Sequence, residues 1–232
     1  MKPGYPLRHP IPVVKRLVHK HPLAIRWFHW INFPLLALMI WSGTLIYWAY
    51  PTYKLGPVKM NLSQPAWKSL HVNNRLAEGM ALHFFFMWLF VINGIAYVIY
   101  TILSGQWRAL VPNRHSFKEA WYTVLHDLHL RKEPLPPRKF NGAQQIAYTL
   151  VILMGVGSLL TGLAIYKPVQ LSWLTSLFGG YPMARFFHFW LTVGYVAFFL
   201  IHVAQVIKTG WNNFRAMIIG YEVQTVEAPA HE

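Results

Sequence analysis

Two histidines in the last apolar run of the sequence, Phe186 to Ile207, are spaced to bind cofactors at two depths of a membrane. His188 and His202 are fourteen residues apart. This spacing comes within about 40° of four complete helical turns, so both side chains leave the same face of the helix. It also separates them by about 21 Å along the axis, most of the thickness of a bilayer core. The pattern predicts two binding positions, each of which needs a further ligand.

The composition indicates a polytopic membrane protein. Of the 232 residues, 55% are hydrophobic and 12% are charged, against about 25% charged in soluble domains. The 11 Trp and 12 Tyr favour membrane interfaces. A net charge of +14 would suggest nucleic acid in a soluble protein. Here the basic residues lie beside apolar spans, where they face anionic lipid headgroups, so we expect lipid rather than nucleic acid as the partner.

The sequence contains no cysteine. This excludes thiolate-bound iron–sulfur clusters, covalent c-type haem attachment and disulfides within this chain. A redox cofactor in this protein must therefore be held by histidine.

Four stretches are apolar and long enough to cross a bilayer. They cover residues 27–50, 79–103, 144–166 and 186–208, and predict an all-α four-helix transmembrane bundle that forms one domain over 1–232. Fifteen of the 21 Lys and Arg residues lie in the two terminal segments and the loop between the second and third spans. The positive-inside rule then places both termini on the cytoplasmic side. Residues 1–26 lack the apolar core of a cleavable signal, so we expect the first span to act as an uncleaved anchor.

The loop between the second and third spans carries an amphipathic pattern. Four apolar residues recur there at helical spacing: Phe117, Trp121, Leu125 and Leu128. They predict a helix that lies on the membrane surface. His126 and His129 are three residues apart on this helix and could bind a metal, but a solvated face is the favoured interpretation. Residues 168–184 are apolar, too short to cross and interrupted by Gly and Pro, which predicts an interfacial loop.

Two further histidines lie at the depths that His188 and His202 require. In the predicted topology, His29 and His202 lie near the inner surface. His83 and His188 lie near the outer surface. The predicted pairs are therefore His29 with His202 and His83 with His188. Histidine in hydrocarbon is costly and usually functional, although proton-relay, substrate-binding or merely buried histidines would also fit these positions.

Paired histidines favour haem over other metal sites. A tetrahedral zinc or copper site needs three or four ligands at one depth, whereas each depth here offers two, on different helices. Two ligands suit the axial positions of a porphyrin iron. Gly43 and Gly94 are expected at the depths of the outer and inner pairs, where small residues leave room for a macrocycle, although glycine is also common in membrane helix packing. The sequence predicts two haem b groups.

These residues resemble the bacterial di-haem cytochrome b membrane subunits (b561-type) of formate dehydrogenase, nickel–iron hydrogenase and thiosulfate reductase. The matching residues are Arg26-Trp-Phe-His29-Trp30, His83, and His188 with His202. Thiosulfate-reductase-like members look most similar overall. The stretch from Lys139 to Gln145, which includes Asn141 and Gln144, resembles one that lines a quinone pocket beside the inner haem in the formate dehydrogenase subunit.

The resemblance implies an electron-transfer subunit of an oxidoreductase complex in the bacterial inner membrane, rather than a complete enzyme. Bis-histidine haem has no open coordination position and suits electron transfer. Quinone is expected at the inner haem, with Asn141 and Gln144 as contacts. The implied partner is a periplasmic redox subunit with molybdopterin or iron–sulfur groups, and a sulfur compound is one candidate substrate. Three cations flank the histidines at the membrane surfaces and are candidates to neutralise haem propionates: Arg26, Arg185 and Lys208.

Two other classes of function remain open from the sequence. One is a free-standing b-type cytochrome that oxidises or reduces a small molecule such as superoxide at the outer face. The other is an anchor or transporter without redox chemistry. Haem content separates the anchor or transporter from the two cytochrome functions. Co-purification with a soluble redox subunit separates the electron-transfer subunit from the free-standing cytochrome.

Overall fold

The computed structural model describes residues 13–49, 52–55, 58–61, 69, 71, 74–131, 133 and 140–227. Within these ranges, four helices are long and apolar enough to cross a membrane. They are α1 (Leu23–Tyr47), α2 (Leu76–Leu103), α5 (Gly142–Tyr166) and α7 (Tyr181–Thr209). The predicted all-α polytopic architecture is confirmed. The sidedness of the bundle stays a prediction.

Shorter elements connect and flank these helices. They are β1 (Val13–His19), β2 (Thr52–Leu55), β3 (Val58–Asn61), α3 (Trp107–Leu110), α4 (Arg114–Asp127), α6 (Ser172–Leu177), α8 (Trp211–Ile219) and β4 (Tyr221–Glu227). Strand β1 pairs antiparallel with β4, from Val13 opposite Glu227 to His19 opposite Tyr221. Strand β2 pairs with β3. None of these strands is predicted from the sequence. For β1 and β4 the reason is that their pairing joins segments about 200 residues apart, which local periodicity does not report.

The chain divides into two compact units. One combines Met1–Trp27 with Val203–Glu232, and the other is Phe28–His202. In the first unit, which we call the terminal unit, the Lys20 ammonium donates hydrogen bonds to Asn213 Oδ1 at 2.9 Å and to Glu222 Oε2 at 2.5 Å. These contacts tie the segment after β1 to α8 and β4.

The segment 168–184, predicted as an interfacial loop, contains helix α6 and the first residues of α7. Gly179 and Gly180 separate the two helices with φ of +82° and +94°, a backbone conformation that favours glycine. The hydroxyl of Thr175 donates to the Ala164 carbonyl oxygen at 3.0 Å and holds α6 against the end of α5. Helix α7 therefore begins at Tyr181, five residues before the predicted span.

Helix α4 approaches the start of α5 so closely that a side chain would not fit. A Cβ atom at Gly142 would lie 2.3 Å from the Ser116 carbonyl oxygen, so only glycine permits this contact. The Ser116 hydroxyl donates to Gln145 Oε1 at 2.7 Å and joins the same two helices. Phe117 and Trp121 on α4 are 64% and 61% exposed. An exposed aromatic stripe is what the predicted surface helix requires, and its position at a membrane stays a prediction.

Candidate functional site

The structure brings the four membrane histidines together in the two predicted pairs. The ring centres of His29 on α1 and His202 on α7 are 6.1 Å apart, with the ring planes at 57°. The ring centres of His83 on α2 and His188 on α7 are 6.3 Å apart, with the planes at 75°. Both pairs belong to the Phe28–His202 unit, and α7 contributes one histidine to each.

Both spacings fit one metal ion between two imidazoles. A metal–nitrogen bond of about 2 Å on each side, with each nitrogen about 1 Å from its ring centre, places two such rings about 6 Å apart. Across the described ranges, no group of three or more His, Asp or Glu side chains is placed to hold a metal ion. Two protein ligands per site suit an iron whose remaining positions are filled by a porphyrin, and do not suit a tetrahedral site.

Each ring of the His83–His188 pair is hydrogen-bonded at Nδ1 to a hydroxyl on a neighbouring helix. His83 Nδ1 lies 2.9 Å from Ser42 Oγ on α1. His188 Nδ1 lies 2.9 Å from Thr161 Oγ1 on α5. Helix α5 has no histidine of its own, and the Thr161 hydroxyl links it to the site. Both hydroxyl residues are almost completely buried.

The proton positions in these contacts follow from what each hydroxyl donates to. Ser42 Oγ donates to the Met39 carbonyl oxygen at 3.1 Å, and Thr161 Oγ1 donates to the Gly157 carbonyl oxygen at 2.7 Å. When the single hydroxyl proton is used on the carbonyl oxygen, the hydroxyl accepts at the ring, and Nδ1 of His83 and of His188 is the donor. The neutral ring then keeps its lone pair on Nε2, the nitrogen that can bind a metal.

Glycines adjoin the same rings. A Cβ atom at Gly43 would lie 3.6 Å from His83 Cε1, and one at Gly162 would lie 3.4 Å from His188 Cε1. At Gly94, which the sequence places at the depth of the inner pair, a Cβ atom would meet nothing within 4 Å. Small residues thus border the histidines, and the space beside Gly94 is open, as a planar macrocycle requires.

The His29–His202 pair has a different environment. His29 Nδ1 is buried and has no hydrogen-bond partner. The Trp30 ring meets His29 edge-on, with the ring centres 5.1 Å apart. Phe198 stacks on His202 with the ring centres 5.7 Å apart and the planes at 10°. Aromatic rings therefore pack on the His29–His202 pair, whereas hydroxyls form hydrogen bonds with the rings of the His83–His188 pair.

The predicted quinone residues form the cap of α5. Asn141 Oδ1 accepts from the Gln144 backbone N–H at 2.9 Å, and Gln144 Oε1 accepts from the Asn141 backbone N–H at 3.0 Å. This is a reciprocal capping box. It uses the carbonyl oxygen of each side-chain amide, so both NH₂ groups, the donors that a quinone carbonyl needs, lie outside the box. Lys139, which belongs to the same sequence stretch, lies outside the described residues.

The three predicted propionate cations lie at helix ends. The Arg26 guanidinium donates through Nη1 to the Ile218 carbonyl oxygen within the terminal unit, and its Nε is buried without a hydrogen-bond partner. The Arg185 guanidinium lies 5.6 Å from the centre of the Tyr181 ring, in the first turn of α7. Lys208 lies in the last turn of that helix.

The remaining histidine pair considered from the sequence is not arranged as a metal site. His126 Nδ1 lies 3.8 Å from Asp127 Oδ1 at the end of α4. His129 follows the helix end with a φ of +60°. Neither residue belongs to a metal-binding group within the described part of the chain.

Sequence reasoning did not identify Ser42 and Thr161. The signal that could have found them is a repeated dipeptide, Ser42-Gly43 and Thr161-Gly162, in two otherwise apolar spans. In each case the hydroxyl bonds Nδ1 of a histidine, and the following glycine lies against Cε1 of the same ring.

The chain is similar to a known protein family and to a known membrane subunit. The family model for prokaryotic cytochrome b561 matches residues 20–220, which include all four histidines. The chain is also 30% identical over 193 residues to the putative protein-methionine-sulfoxide reductase subunit YedZ1 of Azospira oryzae. That alignment covers 83% of this chain and 92% of the relative.

Proposed function

The chain belongs to the prokaryotic cytochrome b561 family, and from this we propose that it transfers electrons between quinone and a periplasmic redox partner. Members of this family are membrane electron-transfer subunits that bind haem b. The observation that carries the proposal is the presence of two histidine pairs with ring centres 6.1 and 6.3 Å apart in one unit.

We assign one haem b to each pair. His29 and His202 would hold the inner haem iron, and His83 and His188 the outer one. Bound haem supplies a one-electron couple. With two histidines to hold each iron, no position would be left open to a small molecule, which would limit the chemistry to electron transfer. Gly43, bordering the ring of His83, leaves room for the macrocycle.

The surface cations would hold the haem propionates. Arg26 precedes His29 by three residues, Arg185 precedes His188 by three, and Lys208 follows His202 by six. The buried, unpaired Nε of Arg26 supports this role, because a carboxylate would satisfy it.

Quinone would bind at the inner side, where α5 begins. The capping box orients Asn141 and Gln144 and leaves their NH₂ groups to donate to a quinone carbonyl. Quinone there would exchange protons with the cytoplasmic side. A haem would carry one electron, whereas a quinol releases two. Two haems, one at each histidine pair, would therefore provide one carrier for each electron of the quinol.

The distribution of charge supports a bacterial inner-membrane location with both termini in the cytoplasm. In this arrangement the whole chain is a single cytochrome b domain that contacts lipid along its four spans. Helix α4 would lie on the inner membrane surface, with Phe117 and Trp121 in the lipid interface and Arg114 and Lys118 near the headgroups.

The partner would be a reductase that acts on an oxidised sulfur compound. The relative from Azospira oryzae is named as a putative subunit of a protein-methionine-sulfoxide reductase. Reduction of a sulfoxide to a thioether takes two electrons and two protons and releases water, which matches the two electrons of a quinol. Two histidines at each iron would leave no position for a sulfoxide, so the partner would carry the substrate chemistry, on a molybdopterin or iron–sulfur group.

Purification in mild detergent from the native membrane tests the proposal. We expect a reduced b-type absorption band, two haems per chain, and a soluble redox protein that co-purifies. Menaquinol or ubiquinol analogues should reduce the haems, and the partner with a sulfoxide substrate should reoxidise them.

Each arm of this experiment has a contrary outcome. Protein without a b-type band would refute the assignment of electron transfer and leave an anchor or transporter. Protein with both haems but no partner, oxidised directly by superoxide, would instead support the free-standing cytochrome.

A further inference from the structure

We propose that Ser42 and Thr161 are positioning residues that fix the two outer histidines and lower the reduction potential of the iron they hold. The proposal rests on the proposed function, because it assumes that His83 and His188 are axial ligands. It adds a role for two residues, and for helix α5, that the histidine pattern does not contain.

The basis is the same contact made twice, on two different helices. At His83, the hydroxyl of Ser42 on α1 lies 2.9 Å from Nδ1, and the position of a Cβ at Gly43 is 3.6 Å from Cε1. At His188, the corresponding distances from Thr161 and Gly162 on α5 are 2.9 Å and 3.4 Å. In each case a hydroxyl–glycine dipeptide supports the edge of the ring that carries Nδ1.

These contacts determine which way each ring faces. A ring that binds a metal through Nε2 carries its proton on Nδ1, and Nδ1–H then donates to the hydroxyl, whose own proton is used on the Met39 or Gly157 carbonyl oxygen. A ring held in this way presents Nε2, with its lone pair, to the other histidine.

The hydrogen bond also changes the ligand. An acceptor at Nδ1–H makes the imidazole more basic and strengthens its donation to the metal through Nε2. The stronger donation stabilises ferric iron more than ferrous iron, because the ferric ion carries the greater positive charge. Each hydroxyl therefore lowers the reduction potential of the site between His83 and His188.

The inner pair provides the contrast within the same molecule. His29 Nδ1 is buried and has no hydrogen-bond partner. The two sites thus have the same ligand types but different support, and the hydroxyls lower the potential of the outer site selectively.

The test is a spectroelectrochemical titration of the purified, haem-loaded protein. The variants are Ser42→Ala, Thr161→Val and the double variant, with Thr161→Ser as the conservative replacement that keeps the hydroxyl. Thr192→Val is the matched control, because the Thr192 hydroxyl lies on α7 and donates to the His188 backbone carbonyl oxygen at 3.1 Å rather than to the ring. The outer component is identified as the one that His83→Ala removes.

We expect a higher midpoint potential for the outer haem in Ser42→Ala and in Thr161→Val, and an unchanged inner haem. Loss of an outer-shell hydrogen bond costs about tenfold in metal affinity. If the whole tenfold falls on the ferric state, the potential rises by about 59 mV for a one-electron couple. The Thr161→Ser and Thr192→Val variants should titrate like the wild type. Selective loss of the outer haem in the double variant, with both haems retained in Thr161→Ser, would support the same role.

Two results would count against this inference, and a third against its premise. An outer potential unchanged in both single variants, with both haems bound, would overturn the role of the hydroxyls alone. An equal shift in Thr192→Val would show that the potential responds to the loss of any hydroxyl near His188, and not to the hydrogen bond at Nδ1. Wild-type protein that binds no haem would instead overturn the proposed function.

Discussion

His83 and His188 face each other with their ring centres 6.3 Å apart. Each ring is also hydrogen-bonded, at Nδ1, to a hydroxyl on a helix that carries neither of the two histidines. His83 on α2 is bonded by Ser42 on α1, and His188 on α7 is bonded by Thr161 on α5. All four long helices therefore take part in this pair, whereas the His29–His202 pair brings together α1 and α7. The His83–His188 pair is thus a position at which all four helices are linked by polar contacts.

The two pairs should lose their haems independently. We expect His83→Ala to remove the outer haem and His29→Ala the inner one, because each haem loses one of its two axial ligands. His188→Ala and His202→Ala should divide in the same way. Pyridine haemochrome assay should give two haems per chain for the wild type and one for each variant. A wild-type value of one would contradict the model of two sites.

The amides at the start of α5 should affect quinone independently of their role in capping. Asn141→Asp and Gln144→Glu keep the oxygen atoms that form the capping box but replace the NH₂ donors. We expect quinol-driven haem reduction to slow by about two- to tenfold, the worth of one hydrogen bond. Asn141→Ala should in addition destabilise the helix by about 0.5–2 kcal/mol. Wild-type reduction rates in both acidic variants, with both haems bound, would place the quinone elsewhere.

The propionate contacts should be visible in the redox titration. Neutralising a cation beside a propionate leaves that negative charge uncompensated, which stabilises ferric haem, so Arg26→Gln and Arg185→Gln should each lower the potential of the nearest haem. Arg108→Gln, at a cation distant in sequence from the four histidines, is the control. Unchanged titrations in both variants would show that these residues serve only as surface anchors.

Gly142 should tolerate no side chain. In Gly142→Ala the new Cβ would meet the Ser116 carbonyl oxygen at 2.3 Å, which is backbone and has little freedom to move. We expect a loss of about 1–3 kcal/mol in the free energy of unfolding, measured by thermal denaturation in detergent. Gly155→Ala on the same helix is the control, because its Cβ would lie at an ordinary contact distance of 3.5 Å from the Tyr195 hydroxyl. Equal stability of the two variants would contradict the close packing of α4 on α5.

The pairing of β1 and β4 should weaken in acid. Burial raises the pKa of Glu222. Hydrogen bonds from Lys20 and Gln224, together with the nearby positive charges, lower it by more than burial raises it, so the pKa lies below the ordinary 4.5. A lowered pKa means that the Glu222 contribution to stability is present above pH 4.5 and is lost as the pH falls through the folded-state value. For a partly exposed ion pair it amounts to up to about 1 kcal/mol.

Amide hydrogen exchange in β1 and β4 measures this effect. Exchange should quicken below pH 4.5 in the wild type, and Glu222→Gln should show the quicker exchange at neutral pH. Glu133→Gln, at an exposed carboxylate on another segment, should leave the strands unchanged. Strand exchange that is insensitive to Glu222→Gln would show that backbone pairing alone holds the two ends together.

The sequence by itself determined the number of spans and the pairing of the histidines. Long apolar runs form helices in a membrane, because a helix satisfies its backbone polar groups within the run itself. Once the spans are known, helical periodicity gives the depth of each residue, and depth alone pairs His29 with His202 and His83 with His188. These conclusions use only local spacing, which a sequence contains in full.

Only the tertiary structure decided which side chains support those histidines. Ser42 and Thr161 are common residue types in membrane helices, and their contact with a ring depends on how α1 rotates against α2 and α5 against α7. That rotation is a result of packing, and no periodic pattern in one helix reports it. The β1–β4 pairing was undetermined for the same reason, because it depends on two short segments at opposite ends of the chain meeting in space.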